Sequence, residues 1–158
     1  MKRADKILKN EKFRAYLDKT AQYERDRIYC LHDIQHALDT ARLAYIKALE
    51  DDTKIDKEII YAAALIHDIG RCVQYEDGTP HDEASVILGR EILEECEFSA
   101  DEIAEILTAV SEHRTDKERS PLGKLLFEAD NKSRMCMLCK ARATCKWREE
   151  DMNMEVVY

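Results

Sequence analysis

Apolar residues recur along this chain at intervals of three and four, the period of a helix that is buried on one side. Ile7, Leu8, Phe13 and Leu17 set that spacing over residues 3 to 20, a charged segment read as a lid or packing helix. Leu31, Ile34, Leu38, Ala41, Tyr45 and Ala48 repeat it within a helix expected over about 22 to 50. His32 and His36 lie nearly opposite that stripe, with Ile28, Leu43 and Ile46, and a helix apolar on two sides is expected to be central. The run Glu58-Ile59-Ile60-Tyr61-Ala62-Ala63-Ala64-Leu65-Ile66 is apolar almost throughout, and His67-Asp68 closes it. Asp56 can cap that helix and Gly70 can terminate it.

Gly78-Thr79-Pro80 marks a loop, after which a helix from near His81 would bury Ala84, Ile87, Leu88 and Ile92. Ser99-Ala100-Asp101-Glu102 is a capping box, flanked by Phe98 and Ile103 at hydrophobic-staple positions. Ile103, Ile106, Leu107 and Val110 form the next stripe, which His113 extends. Ser120 and Pro121 open a last helix as N-cap and first residue, with Leu122, Leu125, Leu126 and Ala129 inward and Asp130 one turn beyond Leu126. No run alternates apolar with polar as a half-buried strand does. The fold class expected is all-α, a single bundle of about six to seven helices spanning 1–158.

Composition adds bounds. A chain of 158 residues can bury roughly two-thirds of its unfolded surface as one domain. The formal charge of −8 is spread along the chain and disfavours general nucleic-acid binding, while leaving room for a local phosphate pocket. No stretch is long enough to span a bilayer, and nothing after Met1-Lys2-Arg3-Ala4-Asp5-Lys6 reads as a leader. The expectation is a cytoplasmic protein with no membrane association, in which thiols stay reduced or bind metal. A homodimer is compatible with the sequence.

Candidate chemistry gathers on imidazoles and carboxylates. His36, His67, Asp68, His81, His113 and Asp130 each fall on or at the end of a helix near an apolar face, where an unpaired polar group is costly. The order His36, His67-Asp68, Asp130 resembles the signature of the HD-domain phosphohydrolase superfamily over roughly residues 25 to 135. His81 and His113 extend the resemblance to a subgroup with two further histidines. The resemblance implies a helical metal-dependent fold in which His36, His67, Asp68 and Asp130 hold one metal, and Asp68 bridges to a second that His81 and His113 complete. Neutral imidazole and carboxylate suit Fe, Mn, Co or Zn, and a carboxylate can bridge two ions. Arg71 stands where many members carry lysine in a His-Asp-Ile-Gly-Lys run, and a guanidinium differs in shape and reach. Arg71 is assigned a catalytic and phosphate-steadying role with Asp68. His32 and Arg114 are candidate substrate contacts, each with a structural alternative.

The carboxyl-terminal stretch 134–158 is expected to be a cysteine-containing tail packed on the bundle. Cys136-Met137-Leu138-Cys139 and Cys145 give a C-x-x-C with a third thiol, and Cys30 could supply a fourth. Zinc is the simpler occupant and an iron–sulfur cluster also fits; free thiols or a redox disulfide remain open. Similar tails accompany a cysteine before the first helical histidines in other bacterial HD proteins. Cys72 and Cys96 have no partners at ligand spacing and are expected to be buried thiols. The leading expectation is a phosphohydrolase of a small phosphate ester or anhydride, a nucleotide foremost. The alternatives are a dinuclear-iron oxygenase on the same scaffold and a non-catalytic nucleotide- or redox-sensing module.

Overall fold

The computed structural model describes residues 1–114 and 118–156. These residues form eight α-helices and no strand: α1 Lys2–Lys9, α2 Glu11–Tyr23, α3 Ile34–Glu50, α4 Lys57–Ile66, α5 Arg71–Asp77, α6 His81–Glu95, α7 Ala100–Glu112 and α8 Pro121–Lys132. Three 3-10 turns, Cys136–Leu138, Arg142–Thr144 and Glu149–Asp151, make up much of the tail. The all-helical expectation holds. No helix among the described residues is long and apolar enough to cross a membrane.

Local signals account for most helix starts. Side chains of Asn10, Asp33, Asp56, Ser99 and Ser120 each accept a backbone N–H in the first turn of the helix they precede. Both halves of the Ser99–Glu102 capping box are present, and Phe98 and Ile103 beside it are buried. Asn10 divides the amino-terminal segment into α1 and α2, which bury Ile7 and Phe13.

The central helix is α4. Every residue from Ile59 to Ile66 except Tyr61 is buried there, and α1, α3, α6, α7 and α8 all pack on it. The expected helix over 22 to 50 starts only at Ile34, because Asp33 caps there and the chain from Glu24 to Asp33 turns without helix. Its inward face is also corrected. Ala37, Thr40, Ala41, Ala44 and Ala48 are buried while Leu31 and Ile34 are exposed, so small side chains let α3 lie close against α4 and α8. On α6, Ile87 is 71% exposed, and the inward face is His81, Ala84, Ser85, Gly89, Ile92 and Leu93.

Gly70 does not end α4, whose C-cap is His67; it begins α5 with helical dihedrals. Its lack of a side chain serves close approach instead. A Cβ there would stand 2.3 Å from the His81 carbonyl oxygen and 2.6 Å from the Ser85 nitrogen. Its N–H donates to Ser85 Oγ at 2.9 Å, locking the turn after α4 against the first turns of α6. Gly78, at φ 85°, ends α5 in the left-handed conformation that favours glycine.

Candidate metal centre

Five helix ends meet at one place. His67 and His113 are the C-caps of α4 and α7, where last-turn carbonyls lack helical partners. Each ring therefore pairs through Nδ1 with the carbonyl three residues back, His67 with Ala64 at 2.7 Å and His113 with Val110 at 2.5 Å. His81 is the first residue of α6, its Nδ1 3.0 Å from Gln74 Oε1. His36 lies in the first turn of α3, its Nδ1 3.0 Å from Ser133 Oγ, which itself donates to the Asp130 carbonyl. In all four rings Nδ1–H has an oxygen to donate to, which leaves the Nε2 lone pair for the centre.

Those lone pairs face one another. His36 Nε2 is 3.3 Å from His67 Nε2, and His81 Nε2 is 3.2 Å from His113 Nε2. Asp68 stands between the two pairs. Its Oδ2 lies 3.4 Å from His36 Nε2 and 3.1 Å from His67 Nε2, while Oδ1 lies 3.2 Å from His81 Nε2. Asp130 Oδ1 is 3.1 Å from His36 Nε2. Asp68 Oδ2 is buried without a hydrogen-bond donor. Acceptors crowded this closely with no proton between them repel, and a buried acceptor without a donor costs about 1–3 kcal/mol. The residues present fit cations. Two groups have donor atoms within 4.8 Å of one another: His36, His67, Asp68 and Asp130, and Asp68, His81 and His113. One carboxylate serves both groups, as a bridge between two ions requires.

The electrostatics agree. Burial opposes ionisation of Asp68, yet His67 and Arg71 beside it hold its pKa well below the usual carboxylate range. Asp130 is lowered too, against burial, by its contacts with His36, His67 and Arg134. Burial, helped by Arg71, His113 and Arg114, pushes His81 down to about 2 despite Asp68. His113 is lowered by burial and by His67. His67 is raised, because Asp68 and Asp130 outweigh its burial. Ionised carboxylates and neutral imidazoles at His81 and His113 are the protonation states that metal ligation requires, and at His67 an arriving ion would take the place of a proton that the carboxylates favour.

A cavity of about 530 Å³ opens from this centre toward the tail. Arg27, Arg71, Arg114, Arg134, Arg142 and Lys146 line it, against Asp130 as the only carboxylate among the described lining residues. Phe127, Tyr29 and Trp147 contribute aromatic surface. Arg71 donates from Nε to Asp68 Oδ1 at 2.9 Å and from Nη1 to Gln74 Oε1 at 3.2 Å. Arg134 Nη2 donates to Asp130 Oδ1 at 2.8 Å and lies 3.0 Å from His36 Nε2.

His32 is not on the helix with His36, yet its ring meets the His36 ring edge-on, centroids 6.1 Å apart, and it lines the cavity. Buried Glu24 holds it: one carboxylate oxygen pairs with His32 Nδ1, and the other accepts the His32 N–H at 2.8 Å. Tyr75 donates to the same carboxylate at 2.7 Å. Burial works against the Glu24 anion, but these donors bring its pKa down to about 2. Nothing in the sequence near Glu24 marks it. Ser133 and Gln74, which fix two ring orientations, are equally unmarked except by helical spacing from Asp130 and Arg71.

Cys30, Cys136, Cys139 and Cys145 also line the cavity, all as free thiols. Among the described residues no three of these sulfurs lie within 4.8 Å of one another. Cys72 and Cys96 are buried, as expected.

Residues 33–135 match the family model of the HD domain. A Clostridium beijerinckii protein described only as uncharacterized is 38% identical over 158 residues, the whole of both chains. Ribonuclease Y of Mycoplasma mycoides is 31% identical over 87 residues, 55% of this chain and 18% of its own length. Ribonuclease Y of Desulforudis audaxviator is 28% identical over 96 residues, 61% of this chain and 17% of its own length. This chain thus spans less than a fifth of those nucleases. The crystal structure of a predicted HD superfamily hydrolase from an uncultured Thermotogales bacterium superposes with a TM-score of 0.66 at 26% identity, covering 91% of this chain and 80% of that one.

Proposed function

Since the chain belongs to the HD domain family, we propose that it is a metal-dependent phosphohydrolase acting on a small phosphate ester or anhydride, with a nucleotide as the favoured substrate. Residues 1–158 would form one HD-type unit, with 134–158 as a tail packed on it. The observation that carries the reading is Asp68, whose two oxygens each belong to a separate cluster of imidazole nitrogens. His36, His67, Asp68 and Asp130 would hold one divalent ion, and Asp68, His81 and His113 a second. Fe, Mn, Co and Zn all suit that donor set. Bound there, the ions supply Lewis acidity toward a phosphoryl oxygen and lower the pKa of water.

The chain's own residues do the rest. Arg71, fixed by Asp68 and Gln74, turns its guanidinium to the cavity wall, where a phosphate would meet it. Arg114 and Arg134 add positive charge nearby, which concentrates an anion in a chain that is acidic as a whole. His32, with Nδ1 held by Glu24, lines the same space. The cavity volume lies within the range of small-molecule sites.

The test is phosphate release from a panel of nucleotides with added Mn or Co, for the native protein and for Asp68→Ala. Release from at least one nucleotide is expected, reduced by about a hundredfold or more in the variant. Equal release by both proteins would rule out this mechanism. No release from any phosphate ester, with metal bound, would favour a binding module.

A further inference from the structure

The tail is built unlike the rest of the chain. From residue 134 to 156 it buries only Cys136 and Ala141, while Met135, Leu138 and Val156 are 65%, 75% and 86% exposed. A segment this small cannot hold a shape by apolar burial alone and ordinarily needs a staple. Yet it has one. Successive turn bonds run from the Cys139 N–H to the Cys136 carbonyl, from Arg142 to Cys139, and from Cys145 to Arg142. Asn153 Nδ2 donates to the carbonyls of Asn131 and Arg134, and its own carbonyl accepts the Met137 N–H.

These turns set three thiols toward the cavity, and Cys30 meets them from another part of the chain. Both neighbours of Cys30 are tied to the tail. Tyr29 donates through its hydroxyl to the Thr144 carbonyl at 3.0 Å, and Arg134 Nη1 reaches the Leu31 carbonyl at 3.4 Å. Cys136 and Cys139 are electrostatic neighbours of the Cys30 thiol. Four thiols therefore share a cavity whose other ionisable lining, among the described residues, is overwhelmingly cationic, a setting that suits a bound group of net negative charge.

Sulfur spacing weighs against a single tetrahedral ion. A tetrahedral zinc ion with bonds of about 2.3 Å draws its sulfurs to roughly 3.8 Å from one another. No three of these sulfurs approach within 4.8 Å. A cubane cluster takes each thiolate on a different iron and so holds the four sulfurs farther apart. We propose that Cys30, Cys136, Cys139 and Cys145 hold a [4Fe–4S] cluster, separate from the His/Asp centre, at the tail side of the cavity. Its net negative charge would be met by Arg27, Arg142 and Lys146. Its role is to fasten the tail and so set one wall of the cavity.

The test is acid-labile sulfide, which the His/Asp centre cannot supply. The full chain is purified without oxygen, then reconstituted with ferric iron, a thiol reductant and sulfide. About four sulfides per chain are expected, with broad visible charge-transfer absorption. Cys139→Ser and Cys145→Ser should each lose both signals while keeping helical circular dichroism and the metal of the His/Asp centre. Asp68→Ala should keep the sulfide, so failure of the cluster and failure of the proposed hydrolase are read separately. Wild-type protein without sulfide before and after reconstitution, whether it carries zinc or free thiols, overturns the assignment. So does sulfide that persists in both cysteine variants. Should the variants fail to fold, the wild-type sulfide count decides alone.

Discussion

Glu24 shows what a single side chain can contribute from outside a motif. Its carboxylate accepts from the backbone and ring of His32 and from Tyr75, so its pKa falls from 4.5 to about 2. A carboxylate with a lowered folded-state pKa stabilises fully above its unfolded value and loses that contribution as pH falls toward the folded value. Glu24 therefore supports the fold above about pH 4.5, and its support is lost as acid approaches about pH 2. Glu24→Gln should lower stability at neutral pH by about 1–3 kcal/mol and flatten the acid limb. Urea unfolding of both proteins between pH 7 and pH 2 measures this, and parallel curves would contradict it. The six metal-ligand candidates were legible in the sequence as residue types on or at the ends of helices, in an order that resembles the HD-domain signature. Glu24 was not, because its partnership with His32 depends on how residues 24 to 33 turn.

At the scale of the element, the decisive contact is the join of α4, α5 and α6 at Gly70. An added methyl there meets backbone atoms of α6, which cannot move aside as a flexible side-chain tip does. Gly70→Ala should cost about 1–3 kcal/mol as an overpacked site and should weaken metal binding, because α6 carries His81 away from Asp68. Urea midpoints and a manganese titration would show both effects; wild-type values in both would remove the close approach as a cause. Helix starts were readable because caps act within four residues, as at Asp56, Ser99 and Ser120. Inward faces were less so. Large residues drew the expected faces of α3 and α6 toward Ile34 and Ile87, whereas the packing chose alanine, glycine and serine where helices lie closest.

For the molecule as a whole, five helices bring two carboxylates and four imidazoles together, with Arg71 and Arg134 set against the carboxylates. Metal binding and stability are therefore linked, because the unfolded chain cannot assemble this donor set. An ion at a free concentration a hundredfold above its dissociation constant adds about 2.7 kcal/mol, which in a chain of this size is a melting temperature higher by roughly 5–10 °C. Melting after chelation and again after adding Mn, Co or Zn checks this. A melting temperature unmoved by all three would separate the cluster of imidazoles from metal altogether.

The position of Arg134 has a consequence for metal affinity. Its Nη2 faces the same lone pair of His36 that an incoming ion needs, while holding Asp130. With the ligands proposed above, the first ion would not enter a vacant seat; it would displace a tethered cation that returns whenever the ion leaves. Occupancy at that position would thus be an exchange between two positive charges, one of them always at hand, so the apparent affinity for any ion is lowered by the cost of moving the guanidinium aside.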